Sequence, residues 1–204
     1  MSLISQTLSV SPSVSEGALV LVVGPSGAGK DTLMDAARAA LAGDARFSFA
    51  RRLITRPAMA GAEDHDSCSE AAFAKAEARG ELALSWRAHG LCYGIPATAL
   101  QGLARGQVVI ANISRGIIPL AERLAHRTMV INITAPDAVL AKRLAARGRE
   151  SEADIAARLA REAPLATERA RLVSIQNDRS VAEGAAELMA LLTSLRTHRN
   201  ISSA

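Results

Sequence analysis

Seven residues, Gly24-Pro25-Ser26-Gly27-Ala28-Gly29-Lys30, constrain this chain more than any other feature. They follow directly on an apolar run, Ala18 to Val23 (ALVLVV), and lead into a segment of helical character near Lys30 to Leu41, closed by Gly43. A continuous apolar run of this kind predicts a strand buried on both faces of a parallel sheet. The glycines let the backbone wrap tightly, so that successive N–H groups converge on an anion, and the helix start adds partial positive charge. The spacing G-x-x-x-x-G-K is that of a phosphate-binding loop, in which the lysine bridges terminal phosphates. Gly24, Pro25, Ser26, Gly27, Ala28, Gly29 and Lys30 are therefore expected to hold the phosphates of ATP, with Lys30 as a catalytic cation. A Gly-rich turn with a chance lysine is the bland alternative, and strand, turn and helix in register weigh against it.

One position departs from the pattern. The hydroxyl residue that usually follows the lysine and ligates Mg²⁺ is replaced by Asp31, with Thr32 next. Thr32 is a candidate Mg²⁺ ligand from one position on, and Asp31 a candidate through water. Asp31 is equally suited to offset the positive end of its helix.

The rest of the chain alternates buried-strand and helix patterns. QVVIANI (107–113) and TMVINI (128–133) read as further buried strands, with short strands near 82–86 and 172–176 and an extended Arg-rich stretch at 46–56. Helices are expected from a Ser67/Glu70 capping box to Gly80, over 115–125, from Pro136 in a first turn to Gly148, over about 152–171, and over 180–196. This order predicts an α/β fold of three layers around a central parallel sheet. With 204 residues and 49% hydrophobic content, one domain is expected over 17–197, between a Ser-rich arm (1–16) and a short tail (198–204). Cys68 and Cys92 lack metal-type spacing and suit a reducing compartment. No signal-peptide pattern or membrane-length apolar run is visible, so a cytoplasmic location is expected.

The formal net charge of +4 is carried by scattered arginines, with only 2% aromatic residues to stack bases, which favours small phosphates over nucleic acid as partners. Arg51, Arg52 and Arg56 lie close together in the extended stretch, and guanidinium forks match phosphate oxygens. The acidic stretch Glu63-Asp64-His65-Asp66 follows, either as a pocket rim or as a solvated loop. SWRAHGLCYGIP (85–96) holds the only Trp and the only Tyr, Trp86 and Tyr93, expected as a ligand wall or a core-capping pair. Asn112, Ser114 and Arg115 end a buried strand, where parallel sheets present ligands. Arg143 is expected to bind ATP, and Arg147 and Arg149 flank Gly148 in an Arg-rich segment. It is expected as a lid (147–153) that closes over ATP and neutralises the transferring phosphoryl group, Arg147 and Arg149 being catalytic.

Together these segments resemble the guanylate kinase branch of the P-loop nucleoside monophosphate kinases. The residues that carry the likeness are GPSGAGK (24–30), ITRP (54–57), the Gly90-to-Tyr93-Gly94 run and RLAARGRESEADIAARL (143–159). The resemblance implies a P-loop NTPase core, an acceptor-binding region (about 46–96) and a lid. Where that branch reads guanine with Ser, Glu and Asp, this chain has Arg52, Leu84 and Asn112, and where it sets a Tyr on the acceptor phosphate this chain has His65. Leucine accepts no hydrogen bond from a base. GPSGAGKDTL (24–33), ITRPA (54–58), Glu63-Asp64-His65 and SWRAHGLCYGIP are similar to ribose 1,5-bisphosphate phosphokinases, which carry GKD. That likeness implies transfer from ATP, with Mg²⁺, to a small phosphorylated sugar, giving 5-phosphoribosyl 1-diphosphate. Arg52, Arg56 and Arg115 would then hold acceptor phosphates, Asn112 and Ser114 would face ribose hydroxyls or a metal-bound water, and Trp86 and Tyr93 would line the pocket. A nucleoside monophosphate kinase of altered specificity and a non-catalytic guanylate kinase-like interaction module are the other readings.

Overall fold

A computed structural model describes residues 17–56, 65–146 and 164–195. In chain order its strands are β1 (Ala18–Val23), β2 (Phe47–Phe49), β3 (Arg52–Ile54), β4 (His65–Ser67), β5 (Leu82–Ala88), β6 (Leu91–Pro96), β7 (Val108–Asn112), β8 (Thr128–Thr134) and β9 (Arg171–Gln176). The helices are α1 (Lys30–Ala40), α2 (Glu70–Ala78), a single turn α3 (Ile118–Ala121), α4 (Asp137–Ala145) and α5 (Val181–Ser194).

Five strands form a sheet in the order β2-β7-β1-β8-β9, every pairing parallel. The apolar run at 18–23 takes its central place and is buried along its whole length. Ala18, Val20 and Val22 meet Leu33, Met34 and Ala37 of α1, Leu140 of α4, and Leu188 and Leu192 of α5. Leu19, Leu21 and Val23 face the other way, onto Ile118 and Ala121 of α3 and onto Leu84, Trp86 and Ile95. Each such aliphatic side chain contributes about 1.5–3 kcal/mol by leaving water. The parallel three-layer reading therefore holds, and it places every strand's C-terminal end on the edge that carries the glycine loop.

The short strand expected near 82–86 and part of the extended stretch at 46–56 fall in a second sheet. β4-β3-β6-β5 form a separate mixed sheet, with β3 parallel to β4 and antiparallel to β6. Its β5–β6 hairpin turns on His89 (φ 51°) and Gly90 (φ 71°). Two left-handed residues in a two-residue loop match the twist of the flanking strands, so His89 and Gly90 shape a turn.

Other expectations are corrected. Ser69, not Ser67, caps α2, accepting from the Ala72 N–H; Ser67 is taken up in β4, its hydroxyl 3.2 Å from His65 Nε2. Residues 115–124 form two 3₁₀ turns around α3 rather than one helix, because Pro119 has no N–H to close the preceding turn. Pro136 is the extended N-cap of α4 rather than a residue of its first turn. The helix expected to reach 171 does not: residues 164–170 are irregular. There Glu122 takes the N–H groups of Glu168, Arg169 and Ala170; residues 152–163 of that helix lie outside the described residues. Ser180 and Glu183 form a capping box on α5. Among the described residues no helix is long and apolar enough to cross a membrane.

Candidate active site

The loop after β1 has the backbone its glycines require. Gly24 sits at φ 145°, and a Cβ there would lie 1.9 Å from the Ile133 carbonyl oxygen. Gly29, at φ 85°, is the N-cap of α1, and a Cβ there would lie 2.5 Å from Asn177 Nδ2. Ala28 is fully buried. Lys30 Nζ donates to the Gly24 and Pro25 carbonyls at 2.8 Å each, so the ammonium is drawn back over the loop. Arg143 of α4 reaches the Gly27 carbonyl at 3.4 Å. Asn177, buried just past β9, donates from Nδ2 to the Ala28 carbonyl at 2.7 Å, while its own N–H donates to Thr134. Side chains thus engage the loop's carbonyls, the arrangement that suits N–H groups converging on phosphate.

One residue beyond Lys30 the acceptor candidates begin. Asp31, in the first turn of α1, accepts from Asn112 Nδ2 at 2.8 Å and stands 3.4 Å from Arg52 Nη2, both on the same oxygen, Oδ1. Arg52 comes from β3 of the second sheet and Asn112 from the end of β7 of the first. They border a cleft lined also by Met34, Arg38 and Ala50. Arg52 is register partner to His65 on β4, so the two share a face of the second sheet. His65 is itself buried. Arg51 faces away from this cluster, paired with Asp66 at 2.9 Å and donating to the His65 carbonyl at 3.3 Å, which ties β3 to β4. Arg56 is half-buried at the edge of the described residues.

Trp86 and Tyr93 are cross-strand partners with stacked rings, 5.4 Å between centroids and 10° between planes. Leu84 and Trp86 both enter the apolar core, with Tyr93 packed beside them. Ser114, extended, is the N-cap of the 3₁₀ turn that follows β7, and Arg115 donates from Nη2 to Asn132 Oδ1 at 3.1 Å. Asn132 in turn donates to the Ser174 hydroxyl at 3.3 Å, so Arg115 is held at the C-terminal edge of β8 and β9. Thr32 is exposed, whereas Asp31 faces the cleft. Among the described residues no group of three or more His, Cys, Asp or Glu could hold a metal. A single hard carboxylate beside a phosphate loop fits Mg²⁺, which takes one or two carboxylates and fills its remaining positions with phosphate and water. Asp35, the other carboxylate on the cleft, is paired with Arg38 at 2.8 Å.

Sequence comparison decides the family. The chain is 55% identical over 166 residues to ribose 1,5-bisphosphate phosphokinase PhnN of Brucella melitensis, spanning 81% of this chain and 86% of that protein. It is 52% identical over 176 residues to ribose 1,5-bisphosphate phosphokinase PhnN of Methylobacterium radiotolerans, spanning 86% and 97%. The chain belongs to the ribose 1,5-bisphosphate phosphokinase PhnN family. No protein-family model matches it. Among solved structures, guanylate kinase from Anaplasma phagocytophilum superposes with a TM-score of 0.63 at 18% identity, covering 91% of this chain and 89% of that one. The PhnN-family chain is thus a kinase with a guanylate kinase-like fold, as the loop, the sheet order and the motifs imply.

For this PhnN-family chain, the structure brings together Lys30, Asp31, Arg52, Asn112 and the loop, and sets Arg143 against the loop's back. Arg147, Arg149 and the rest of the expected lid lie outside the described residues, as do Glu63, Asp64, the arm 1–16 and the tail 198–204. Sequence reasoning missed Asn177 and Asn132. Asn177 follows the largely exposed edge strand β9 and Asn132 lies within β8, two residues before its end, so neither carries the signal that singled out Asn112, a place at the end of a buried strand.

Proposed function

We propose that this chain transfers the γ-phosphoryl group of ATP to ribose 1,5-bisphosphate, giving 5-phosphoribosyl 1-diphosphate and ADP. The observation that carries the reading is the cluster of Asp31, Arg52 and Asn112 one residue past the loop lysine. A cation half-sequestered by a carboxylate suits an anionic acceptor, and Leu84, buried in the core, has nothing to offer a base edge. The names of the curated relatives support the same substrate.

In this reading the loop N–H groups and Lys30 bind the β- and γ-phosphates of ATP, and Arg52 and Arg56 hold the acceptor's phosphates. Arg115, braced by Asn132, offers a further cation at the sheet edge. An oxygen of the acceptor's C1 phosphate attacks the γ-phosphorus. The new P–O bond forms as the bond to the β-phosphate oxygen breaks, and ADP leaves with that electron pair. The attacking oxygen is already ionised at neutral pH, so no base is required, and catalysis rests on alignment and charge neutralisation. Asp31 would hold Mg²⁺, directly or through water, and the ion when bound would neutralise charge on the phosphates. Arg143, and Arg147 and Arg149 from the lid, would neutralise charge from the other side.

The test is to incubate the protein with Mg²⁺–ATP and either ribose 1,5-bisphosphate or GMP and to follow products by phosphorus NMR. A new diphosphate pair from the sugar, with GMP untouched, is expected; turnover of GMP alone would make this a guanylate kinase variant. In the same assay Lys30→Ala should lose at least about 100- to 1,000-fold in kcat, the scale for removing one electrostatic contact to the reacting centre. Its melting temperature should stay within a few degrees of wild type, and full activity in that variant would refute the role of Lys30.

A further inference from the structure

Asn112 carries the inference furthest, through the half of its amide that the cluster leaves over. The residue is 4% exposed, at the last position of β7. Its Nδ2 donates to Asp31 Oδ1 at 2.8 Å, while its Oδ1 is buried with no hydrogen-bond partner among the described residues. The orientation of an amide is fixed by its neighbours, and a carboxylate only accepts. Asp31 therefore compels the amide nitrogen to face it, and what Asn112 turns elsewhere is a pure acceptor. A buried acceptor without a donor is costly, so natural sites that contain one are completed by a ligand or a water. The cations on the same cleft are engaged by carboxylates, Arg52 with Asp31 and Arg38 with Asp35.

We infer that Asn112 Oδ1 accepts a hydrogen bond from a free hydroxyl of the acceptor sugar, and that Asp31 sets this selectivity by holding the amide in one orientation. The inference rests on the proposed acceptor. A phosphate dianion has no proton to give and is repelled by an amide oxygen, so the group that meets Oδ1 is one of the two unphosphorylated ring hydroxyls, at C2 or C3. Asn112 then separates the acceptor's two chemistries, the arginines taking the phosphates and the amide oxygen taking the sugar. The same geometry makes Asp31 a positioning residue for the acceptor in addition to any part it takes toward Mg²⁺.

The experiment compares kcat/KM of the wild-type enzyme for ribose 1,5-bisphosphate with that for its 2-deoxy and 3-deoxy analogues. It then repeats the comparison in Asn112→Leu, which keeps the shape and removes the acceptor. Wild type is expected to disfavour one deoxy analogue by roughly 10- to 100-fold, the range for leaving a buried polar group unpaired. Asn112→Leu should bring that ratio to within about twofold of unity by lowering turnover of the hydroxylated sugar. Asp31→Asn, which lets the facing amide flip, should reduce the same ratio, a readout that a merely structural role for Asp31 would leave unmoved. Wild type that uses both analogues as well as ribose 1,5-bisphosphate overturns the inference while leaving the kinase reading intact. Discrimination that survives in Asn112→Leu also overturns it. Turnover of GMP with none of the sugars would assign Oδ1 to a base amino group and overturn both readings. The wild-type comparison stands even if Asn112→Leu does not fold, which its melting curve would reveal.

Discussion

Arg52 shows how a single side chain can be poised between two partners. Its guanidinium is 11% exposed and stands 3.4 Å from a carboxylate that is 38% exposed, a long contact for an ion pair. A contact of that length, open to water on one side, contributes little to stability, on the order of 0–1 kcal/mol. An arriving phosphate offers the same fork a shorter, doubly bonded partner. Arg52→Ser should therefore raise the KM for the sugar bisphosphate by about 10- to 100-fold, as charge-assisted contacts of about 1.5–3 kcal/mol are lost. The KM for ATP should move less than about threefold, and steady-state kinetics with each substrate varied in turn would show the split. An unchanged acceptor KM would place the acceptor's phosphates elsewhere. None of this pairing was legible in the sequence, because its members are separated by 21 and 81 positions. The phosphate loop was legible because all its parts are contiguous.

At the scale of elements, a compact polar contact helps join the second sheet to α2. Glu77 of α2 accepts from Arg87 at 2.8 Å and from the Ser85 hydroxyl at 2.5 Å, both on β5, and the Arg87 guanidinium lies 5.2 Å over the Phe73 ring. The Arg87 guanidinium, then the Ser85 hydroxyl, hold the Glu77 carboxyl down from its ordinary 4.5 to about 2. A folded value below the unfolded one means the contact is fully felt above about pH 4.5 and is lost as pH falls toward 2. Glu77→Gln should therefore narrow its stability gap from wild type as pH falls from 5 to 2, in denaturant titrations at each pH. A gap that stayed constant would rule the contact out as an acid-sensitive element. β5 was legible as a short strand, and β2 and β3 only as one extended Arg-rich stretch. β4 and β6 were not read as strands, and a three-residue strand such as β4 is too short to show a period. The helix carried too far, to 171, failed for a related reason: its Ala- and Arg-rich composition favours helix, but a tertiary contact at 168–170 overrides propensity.

Across the whole molecule, two sheets supply the two sides of the cleft, and α1 joins them, since Lys30 looks back to the phosphate loop and Asp31 forward to Arg52 and Asn112. That geometry depends on the order of the main sheet, in which β9, one of its two edge strands, is followed at once by Asn177, the brace of the loop. Besides its ladder to β8, the chain entering β9 is held by Glu122, 1% exposed. Its two oxygens accept the backbone N–H groups of Glu168, Arg169 and Ala170 at 2.9, 3.3 and 3.1 Å, and its carbonyl accepts from the Arg169 side chain. One buried carboxyl thus satisfies the chain where it enters the edge strand. Glu122→Ala would strand those donors, at an expected cost of about 2–4 kcal/mol in urea unfolding. The loss should appear locally before it appears globally. Hydrogen exchange at β9 should accelerate while β1 and β7, at the sheet's centre, keep their protection relative to the lowered global stability. Because Asn177 moves with β9, ATP affinity should fall in parallel, although Glu122 touches no part of the loop. A Glu122→Ala protein as stable as wild type, or one whose β9 exchanged no faster, would show that the edge strand is held by its ladder to β8 alone.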